Sequence, residues 1–569
     1  MSSGNAARKV WRSRPWLPEK WDFEADVVIV GYGGAGVSAA IAAHDAGVSM
    51  LVLEKAPVGG GNTGCCGGGS RIPSDVPNAI KFYRALCHGT NDEELIRALA
   101  EAMVELPRWL ESLGAELEWL KQGLNFPTLP GAESFSRIVS IARTPQQVAE
   151  QKAAGGTVYP TRGDQLFGFL DKQAKKRAIR VMFNTPGKVL IQDPVTKEIL
   201  GVRAESAGEL ISVKARRGVV LSCGGFQNNK DLLMNYLPYL TQLPVCSYGT
   251  PYNTGDGIEM AMEAGAKLWH MSGCELGMFA LRIPSEKYGV GIRLERQLPK
   301  GSAALYVNKS GRRFMNEAQV LSHRKDPFTV QYFDHDRAEF PNIPFYMIFD
   351  ESYRVKRPIV GMNMGWWCVQ NVYKWSRDNS AEVAQGWIVK GDTIRELAAK
   401  IGLDPDAMEE TVRKYSVQCT TGKDPEFARA KDWLVPLQSP PYYATELCEP
   451  IINTQGGPKH NALAQVLNRH DKPIPRLYAA GELGSFFFPL YESGSNVPEA
   501  LSFGRIAGQQ ASALAPWNEE DDDGPSTSPD GGSRQGKQED EAVRSKPRGI
   551  SRQCELTNAA SGGELDPKR

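Results

Sequence analysis

The sequence predicts an α/β fold built on a Rossmann-like parallel sheet, and three observations lead to this prediction. Residues 27–30 are an apolar run that leads directly into a glycine-rich turn, and an alanine-rich helical segment follows. A second apolar run, 50–53, ends on Glu54. Near the end of the chain, residues 477–480 are again apolar and run into a glycine turn. Continuous apolar runs of this length are typical of the buried strands of a parallel sheet.

The turn after the first run has the spacing of a site for an adenine dinucleotide. It reads GYGGAG over residues 31–36. In such a turn, Gly31 allows the tight bend, Gly33 lets the backbone approach a pyrophosphate, and Gly36 lets helix and strand pack closely. The helix N-terminus presents free N–H groups to phosphates, and Glu54 can accept hydrogen bonds from ribose hydroxyls, which disfavours NADP. The residues expected at this end of the site are Gly31, Gly33, Gly34, Ala35, Gly36, Glu54 and Lys55.

Composition and charge argue against several classes of protein. The 569 residues carry 66 basic and 66 acidic side chains, so the charge gives no indication of nucleic acid or an anionic membrane as a partner. No apolar run is long enough to span a bilayer. The ten cysteines include no CxxC pair, which argues against zinc ribbons and against the usual iron–sulfur spacings. Unpaired cysteines in a chain of this size are typical of a reducing, cytoplasmic location.

Two further stretches complete the predicted sheet. Residues 187–224 alternate apolar and polar side chains around turns at 193–194 and at Gly208. This pattern predicts a small antiparallel meander that ends in a buried strand at 218–222. Strands near residues 26, 50, 218 and 477 would therefore build one sheet. About 250 residues separate the last two strands, and a second domain is expected to be inserted there because loops of that length are not found in compact domains.

The two ends of the chain differ from its middle. Residues 1–24 form a basic, tryptophan-bearing N-terminal extension that is expected to wrap around the first domain. Residues 517–569 contain no aromatic side chain after Trp517 and are rich in charged and small residues. A segment of this composition cannot bury enough apolar surface to offset its ordering entropy. The sequence therefore predicts a disordered tail, whose role it leaves open.

Separated motifs along the chain carry a family resemblance. Besides the first turn they are GGGNTGCCGGGSRIP (59–73), TGDGIEMAMEAGA (254–266), VNKSGRRFMNE (307–317), NTQGG (453–457), LYAAGELG (477–484) and SGSNVPEALSFGRIAG (493–508). In this order they resemble the flavoproteins of the fumarate reductase and succinate dehydrogenase type, which include the 3-ketosteroid dehydrogenases. The resemblance covers most of residues 25–515. It implies an FAD-binding domain formed by 25–271 and 441–516, an inserted α+β cap (substrate) domain at 272–440, and an active site between them.

The resemblance implies FAD rather than NAD as the dinucleotide. The glycine-rich loop 59–69 has no side chains that would obstruct a flat isoalloxazine ring, although such a run also suits a flexible linker. In covalent members of the family a histidine of this loop bonds the flavin; the matching position is Asn62, so non-covalent FAD is expected. A helix starting near Pro498 would direct its positive end at the flavin. The further residues implied in cofactor binding are Gly60, Gly61, Asn62, Thr63, Gly67, Gly68, Val189, Gly224, Gly225, Asp256, Gly481, Glu482, Ser495, Asn496 and Val497.

Two departures from the family pattern concern the substrate. Family members pass a hydride between the flavin and one carbon of a C–C bond while a cap group moves a proton at the neighbouring carbon. Where fumarate reductases grip two carboxylates with a histidine and a late arginine, this chain has Asn453 and Tyr491. Neutral hydrogen-bonding groups suit a ketone oxygen better than a dicarboxylate. The resemblance to ketosteroid dehydrogenases implies that the Tyr491 hydroxyl and the backbone N–H of Gly494 hold that oxygen.

The segment before Tyr491 and the acid–base group each leave alternatives open. Residues 486–490, FFFPL, form either an apolar wall of the site or ordinary core. The family offset for the proton-transfer group falls on Leu321, but His323 and Arg324 follow within three residues, and either of these two is a candidate. Tyr288 is a more distant candidate.

The expected reaction is the desaturation, or reverse reduction, of a C–C bond next to a carbonyl on an apolar cyclic ketone or enone such as a 3-ketosteroid. Only one dinucleotide fingerprint is present, so electrons are expected to pass to or from an external carrier. One alternative is reduction of an unsaturated carboxylate with Arg324 as proton donor. The other is a flavin-binding protein without turnover. The adjacent Cys65 and Cys66 could form a redox pair, but packing is the favoured interpretation because a disulfide between neighbours is strained.

Overall fold

The computed structural model describes residues 16–153, 162–241, 245–247, 249–277, 279–282, 291–294, 298–319, 330–361, 365–370 and 372–517. The strands are β1 (Phe23–Val30), β2 (Met50–Leu53), β3 (Ser70–Arg71), β4 (Leu117–Lys121), β5 (Arg137–Ile141), β6 (Arg180–Met182), β7 (Gly187–Gln192), β8 (Ile199–Ser206), β9 (Glu209–Leu221), β10 (Cys246–Ser247), β11 (Leu268–Trp269), β12 (Cys274–Leu276), β13 (Ala280–Arg282), β14 (Gly291–Arg293), β15 (Ala304–Asn308), β16 (Phe345–Asp350), β17 (Val389–Gly391), β18 (Tyr442–Cys448), β19 (Pro450–Thr454), β20 (Gly457–Pro458), β21 (Gln465–Leu467) and β22 (Pro473–Ala479).

The helices lie between these strands. They are α1 (Gly34–Asp45), α2 (Gly61–Cys65), α3 (Val76–Leu86), α4 (Glu93–Ser112), α5 (Pro145–Ala153), α6 (Arg162–Lys176), α7 (Lys230–Tyr236), α8 (Pro238–Thr241), α9 (Asp256–Glu263), α10 (Glu351–Arg354), α11 (Trp366–Val369), α12 (Ser380–Ala384), α13 (Ile394–Lys400), α14 (Pro405–Thr421) and α15 (Asn496–Ala513), with short 3-10 helices at Ala132–Phe135 and Lys431–Trp433. Within the described ranges, no helix combines the length and the apolar character needed to cross a bilayer.

The main sheet has the strand order β21-β22-β9-β1-β2-β6, and β7 and β8 extend it from β9. The pairings of β1 with β2 and β9, of β9 with β22, and of β2 with β6 are all parallel. The four strands predicted to share one sheet therefore do so. The predicted meander is also present: β7, β8 and β9 pair antiparallel. β9 is longer than expected, because the last strand of the meander continues without a break into the parallel sheet.

Helices α1 and α15 pack against each other on one face of this sheet at unusually short range. A Cβ on Gly504 would lie 2.3 Å from the carbonyl oxygen of Ala35, and one on Gly508 would lie 2.3 Å from that of Ala39. Glycine at these two positions permits the close approach because it has no side chain. The contact sets the first turn of α15 beside the glycine-rich turn before α1.

A second sheet is formed by residues between 280 and 448. Its order is β14-β13-β18-β16-β15, with β17 paired to β18, and all of its pairings are antiparallel. One of its faces packs on an aromatic cluster that includes Phe279, Trp367 and Trp375. The other packs on α13 and α14 through Leu397 and Met408. Helices and antiparallel strands together make this an α+β substructure.

The VNKSGRRFMNE motif is used inside this second substructure. Arg313 pairs with Glu317 at 2.8 Å and with Asp424 at 2.9 Å, and Arg429 pairs with Glu317 at 3.2 Å. All four side chains are buried. The carboxylates raise the pKa of Arg313, which keeps the cluster charged. These two motif residues, Arg313 and Glu317, therefore hold the loop at 424–429 to the second sheet.

Candidate active site

A cavity of about 440 Å³ opens at the carboxyl ends of the parallel strands, within the size range of small-molecule sites. Val30, Leu53, Ser222 and Ala480, at or just beyond the ends of β1, β2, β9 and β22, all line it. This is the edge of an open α/β sheet at which ligands bind. Other parts of the wall come from the loop at 61–69, the small sheet β3-β5-β4, β19 and α11.

The glycine-rich turn has the backbone geometry required for a pyrophosphate. Gly31 has a φ of 103°, and a Cβ there would lie 2.3 Å from the carbonyl oxygen of Ser222. A Cβ on Gly36 would lie 2.0 Å from the Gly31 oxygen. At Gly33 the nearest atom to such a Cβ is 3.8 Å away, so the backbone there is open to the cavity. The N-cap residue of α1 is Gly33, which makes no side-chain cap hydrogen bond, so N–H groups of the first turn other than that of Gly34 can meet an anion.

Two carboxylates lie at this end of the cavity. Glu54 accepts hydrogen bonds from the backbone N–H groups of Tyr32 at 2.6 Å and Ala56 at 2.7 Å. These bonds fix its orientation, although burial raises its pKa. Lys55 pairs with Asp256 at 2.8 Å and also bonds the Thr254 hydroxyl. The charges of Lys55 and Asp256 therefore offset each other at the cavity rim.

The loop after Glu54 is not a fully extended glycine run. Its centre forms the single helical turn α2, preceded by Gly60 with a φ of 112°. Thr63 of this turn accepts a hydrogen bond from the Gly34 N–H at 3.1 Å, which ties the loop to the start of α1. Cys65 ends this turn and Cys66 follows it, and the two are not joined by a disulfide. Burial raises the pKa of Cys66 to about 11, so that thiol is neutral and unreactive at neutral pH.

Glu482 is the point at which three distant segments meet. Its carboxylate accepts hydrogen bonds from the side-chain amides of Asn62 at 2.8 Å and Asn253 at 3.1 Å. The backbone N–H of Thr454 donates to its other oxygen at 3.1 Å. Asn62 in turn accepts from the backbone N–H of Thr250 at 3.0 Å. Burial raises the pKa of Glu482 to about 7 despite these donors.

Tyr491 and Gly494 lie together on the cavity wall, but not as two parallel donors. The Gly494 N–H donates a hydrogen bond to the Tyr491 hydroxyl oxygen at 3.0 Å. The bond at its oxygen makes the phenol a better hydrogen-bond donor. Burial raises the pKa of Tyr491, and the nearby charge of Glu275 adds to this effect. The phenol is therefore neutral and protonated at physiological pH.

A buried ion pair lies behind this turn. Arg71 and Glu492, each 1% exposed, are joined by a 2.9 Å contact between Nε and Oε1. The Arg71 guanidinium also donates to the carbonyls of Ser493, Gly123 and Phe135, at 2.9, 3.1 and 2.6 Å. Its backbone N–H donates to the Gly494 carbonyl at 2.8 Å. Burial raises the pKa of Glu492 to about 7, and the charge of Arg71 partly opposes that rise.

This arrangement was not predicted, although Arg71 lies within the quoted motif at 59–73. Its side chain lines the cavity and places a cation near the neutral Tyr491. The Nε and Nη1 groups of this guanidinium are engaged by one carboxylate and three carbonyls, so Arg71 holds the turn at 491–494. Its Nη2 group has no acceptor among the described hydrogen bonds.

The apolar part of the wall differs from the sequence prediction. Phe486 and Phe487 are buried in the core of the parallel-sheet domain, where their rings contact Tyr83. The core interpretation of this segment is therefore correct for these two side chains. The aromatic wall comes instead from Tyr252 and Trp366, whose ring centroids are 5.6 Å apart. Only their shared position in the fold reveals them, since neither belongs to a chemical motif.

Asn453 lines the cavity from β19. It lies opposite Glu275 in the antiparallel pairing of β12 with β19. Glu275 is buried beside it. The position that the resemblance matches to a histidine of fumarate reductases is therefore a neutral amide next to a carboxylate.

The predicted site residues divide into four groups. Those on the cavity wall are Gly31, Gly33, Gly34, Ala35, Glu54, Lys55, Gly61, Asn62, Thr63, Gly67, Gly68, Gly224, Asp256, Gly481, Glu482, Tyr491, Gly494, Asn496 and Val497. Gly36, Gly60, Gly225 and Ser495 lie behind the wall and support it. Val189 faces away, with 42% of its surface exposed, and Gly187 is the β7 residue that reaches the cavity. His323, Arg324, Tyr288 and Leu321 lie outside the described residues.

The side chain of Asn496 offers a hydrogen-bond acceptor to the edge of a ring in the cavity. The side-chain carbonyl oxygen of Asn496 is buried and has no hydrogen-bond partner within the described part of the chain. It lies in the first turn of α15, which begins two residues earlier than predicted. An aromatic cofactor with an N–H on its edge would satisfy this oxygen.

The comparisons with known proteins agree with this geometry. The profile of the family described as "FAD binding domain" matches residues 26–497. The chain is 28% identical over 513 residues to a probable fumarate reductase of Shewanella frigidimarina, covering 86% of this chain and 75% of that protein. It is 27% identical over 577 residues to a 3-oxosteroid 1-dehydrogenase of Mycobacterium tuberculosis, covering 85% of this chain and 97% of that protein.

A likeness among solved structures bears on the fold. A 3-ketosteroid delta1-dehydrogenase of Sterolibacterium denitrificans, in complex with 1,4-androstadiene-3,17-dione, superposes with a TM-score of 0.67 at 24% identity. The superposition covers 86% of this chain and 99% of that one. The predicted fold class, a Rossmann-like domain with an inserted α+β domain, is thus confirmed.

Proposed function

The chain belongs to the FAD-binding flavoproteins of the fumarate reductase and succinate dehydrogenase type, and on that premise we propose that it desaturates, or in reverse saturates, a C–C bond next to a carbonyl. It is an FAD-dependent oxidoreductase. The substrate that we propose is an apolar cyclic ketone or enone such as a 3-ketosteroid. The finer assignment depends on the substrate end of the cavity, because relatives of both kinds are equally distant in sequence.

The neutral Tyr491–Gly494 pair is the observation that supports this substrate. A phenol whose oxygen already accepts an N–H bond at 3.0 Å is a directed donor to a carbonyl oxygen. The other side of the wall offers the neutral Asn453 and the rings of Tyr252 and Trp366. Within the described wall, the one guanidinium is that of Arg71, which is committed to Glu492 and three carbonyls. A dicarboxylate would need several fixed cations, and on this side of the described wall the Arg71 guanidinium is the one cation present.

FAD bound in this cavity supplies a two-electron acceptor or donor. We propose that Gly31, Gly33 and the N-terminus of α1 hold its pyrophosphate. In the same proposal Glu482 and Asn62 position the ribityl chain, and Asn496 meets the edge of the ring. The Asn62 side chain is engaged with Glu482 and Thr250, which supports non-covalent binding. Acid precipitation should release all of the flavin into the supernatant, and retention in the pellet would contradict this.

We propose His323 or Arg324 as the proton-transfer group. A base or acid at the substrate carbon is required, because removal of a hydride and a proton makes the double bond. Electrons would pass to an external carrier, since the chain has a single dinucleotide fingerprint. Replacing His323 and Arg324 separately by glutamine would distinguish them. The variant that lacks the acid–base group should lose one limb of the pH–rate profile, and the other variant should keep both limbs.

The second candidate is reduction of an unsaturated carboxylate with Arg324 as proton donor. It is favoured by the likeness to relatives named as fumarate reductase and urocanate reductase, each at 28% identity. This candidate requires a cation at the substrate carboxylate. Within the described wall, Arg71 is the one guanidinium that could provide it.

Anaerobic flavin spectroscopy tests the proposal. The oxidised yellow protein is mixed with a panel of 3-ketosteroids and other cyclic ketones, and the flavin absorbance is followed. Bleaching by a ketone, with formation of the enone, is the expected result. Reoxidation of the reduced protein by fumarate or urocanate, but not by enones, would move the assignment to the second candidate. No response to any of these compounds would indicate a flavin-binding protein without turnover.

A further inference from the structure

Two cysteines that are far apart in the sequence meet where the second sheet joins the rest of the molecule. Cys246 Sγ and Cys448 Sγ are 2.8 Å apart, although 202 positions separate them. At this separation the two sulfurs are not covalently joined to each other. A covalent S–S bond is roughly 2.05 Å long, so the two sulfurs need to move together by less than the length of a bond.

The surrounding elements hold this pair in place. Cys448 is the last residue of β18, the central strand of the second sheet, and it pairs with Ala280 of β13. Cys246 opens β10, which pairs in parallel with β19 at Pro450. On another side, a Cβ on Gly291 would lie 2.4 Å from Cys246 Sγ, so β14 leaves that sulfur little room to turn away. The sulfurs thus face each other across the junction of two sheets.

We propose that Cys246 and Cys448 form a reversible disulfide, and that this modification site ties β10 to the end of β18 when the protein meets a thiol oxidant of the peroxide class. Cys246 is half-buried and Cys448 is fully buried, so the peroxide reaches Cys246 first. Its thiol takes one oxygen from hydrogen peroxide to give a sulfenic acid, and water leaves. The Cys448 sulfur then displaces that oxygen as a second water and forms the S–S bond. The two thiols lose two electrons and two protons in total, and the peroxide is reduced to two waters.

The bond would act close to the cavity. Thr250 and Asn453, which follow the two cysteines by a few residues, both line the cavity. The closed loop would contain all strands from β11 to β17, because these lie between the two cysteines in the chain. Closing so long a loop restricts the unfolded chain and stabilises the folded one. The oxidised protein should therefore be more resistant to heat, and the junction of the two sheets should be stiffer.

Mass spectrometry of the full-length protein tests this directly. The protein is treated with hydrogen peroxide, alkylated, digested without reductant and compared with a dithiothreitol-treated sample. The expected product is a cross-linked pair of peptides carrying Cys246 and Cys448, two hydrogens lighter than the sum and reversed by dithiothreitol. The thermal midpoint of the oxidised sample should be higher by about 2–5 °C. Both effects should vanish in Cys246→Ser and persist in Cys419→Ser, a control at a half-buried cysteine on α14.

Other products would overturn the proposal. These are a Cys65–Cys66 cross-link in place of the expected one, a Cys246 that accumulates as sulfinic or sulfonic acid, and two thiols that stay alkylatable after peroxide treatment. The wild-type peptide map decides among them even if Cys246→Ser folds poorly. A cross-link that forms but leaves the thermal midpoint unchanged would overturn the stabilising role. None of these readouts depends on the substrate, so the proposal stands or falls separately from the proposed function.

Discussion

The two ends of the cavity are built in different ways. At the dinucleotide end the contacts come mainly from backbone: the Gly31 turn, the open N-terminus of α1, and the N–H groups that hold Glu54. At the substrate end they come from side chains on elements far apart in the chain, such as Arg71 and Glu492. The first end is fixed by a short local motif, whereas the second can change its chemistry by single substitutions. Relatives named as fumarate reductase and as 3-oxosteroid 1-dehydrogenase are both found at 27–28% identity, which agrees with this contrast.

The largest expected effect concerns the buried ion pair of Arg71 and Glu492 at the substrate end. Arg71→Met should cost about 3–5 kcal/mol of unfolding free energy, because it strands the buried Glu492 carboxylate and leaves three carbonyls without a donor. Urea unfolding followed by tryptophan fluorescence measures this. The matched control is Arg84→Met, which breaks the exposed pair with Glu93 and should cost less than about 1 kcal/mol. Equal losses in the two variants would show that the buried pair does not hold the turn.

Next in size is the phenol itself. Tyr491→Phe should slow ketone turnover by roughly 100-fold, since it removes the donor to the substrate oxygen while the ring stays. Single-turnover flavin reduction under anaerobic conditions is the measurement. Tyr252→Phe removes a hydroxyl from the same cavity and should change the rate only slightly. A normal rate in Tyr491→Phe would take this residue out of the site and weaken the contrast between the two ends.

At the cofactor end, Glu482 is the side chain on which the backbone framework depends. Glu482→Gln should raise the Kd for FAD by about 10–100-fold, because a carboxylate that accepts three hydrogen bonds becomes an amide that cannot accept them all. Flavin fluorescence titration of the apoprotein gives the value. Glu259→Gln, an exposed change on α9, is the control. Unaltered affinity in Glu482→Gln would mean that the backbone alone holds the cofactor.

The pH dependence of stability offers a smaller test. Burial raises the pKa of Glu499 to about 8, from an ordinary value of 4.5. A carboxyl whose pKa is raised on folding stabilises the protein below its unfolded pKa, and this contribution is lost as the pH rises through the folded pKa. The thermal midpoint of the apoprotein should thus fall between pH 5 and about 8. Glu499→Gln should flatten that slope, and an unchanged slope would assign it to other groups.

The smallest expected effect is at Val189. The sequence places it among the cofactor residues, but its side chain is exposed and faces away from the cavity. Val189→Ala should leave FAD affinity unchanged and should shift stability by less than about 0.5 kcal/mol. A clear loss of affinity, read by the same titration, would restore the prediction from the sequence.

The sequence predicted the parts of this protein that depend on local motifs, and it did not predict the contacts between distant segments. The membership of β1, β2, β9 and β22 in one sheet and the turn at Gly31 were predictable, because apolar runs and glycine spacing are local signals. The meeting of Asn253 and Thr454 at Glu482 was not, since both partners come from distant segments. The same holds for Trp366 on the wall. Phe486 and Phe487 show the limit most clearly, because an apolar run is equally consistent with a pocket and with core.

The glycine contact between α1 and α15 has a consequence for how such a protein can diversify. Gly504 and Gly508 let the two helices touch backbone to backbone, so the spacing between the pyrophosphate turn and Asn496 is set by a rigid pair of rods. A methyl group at Gly504 or Gly508 would push α1 and α15 apart and lengthen the distance between the pyrophosphate turn and Asn496. Substitutions at Gly504 and Gly508 are therefore disfavoured, whereas substitutions at the substrate end of the cavity do not disturb this helix contact. Substrate specificity can therefore change at that end while the affinity for the cofactor stays the same.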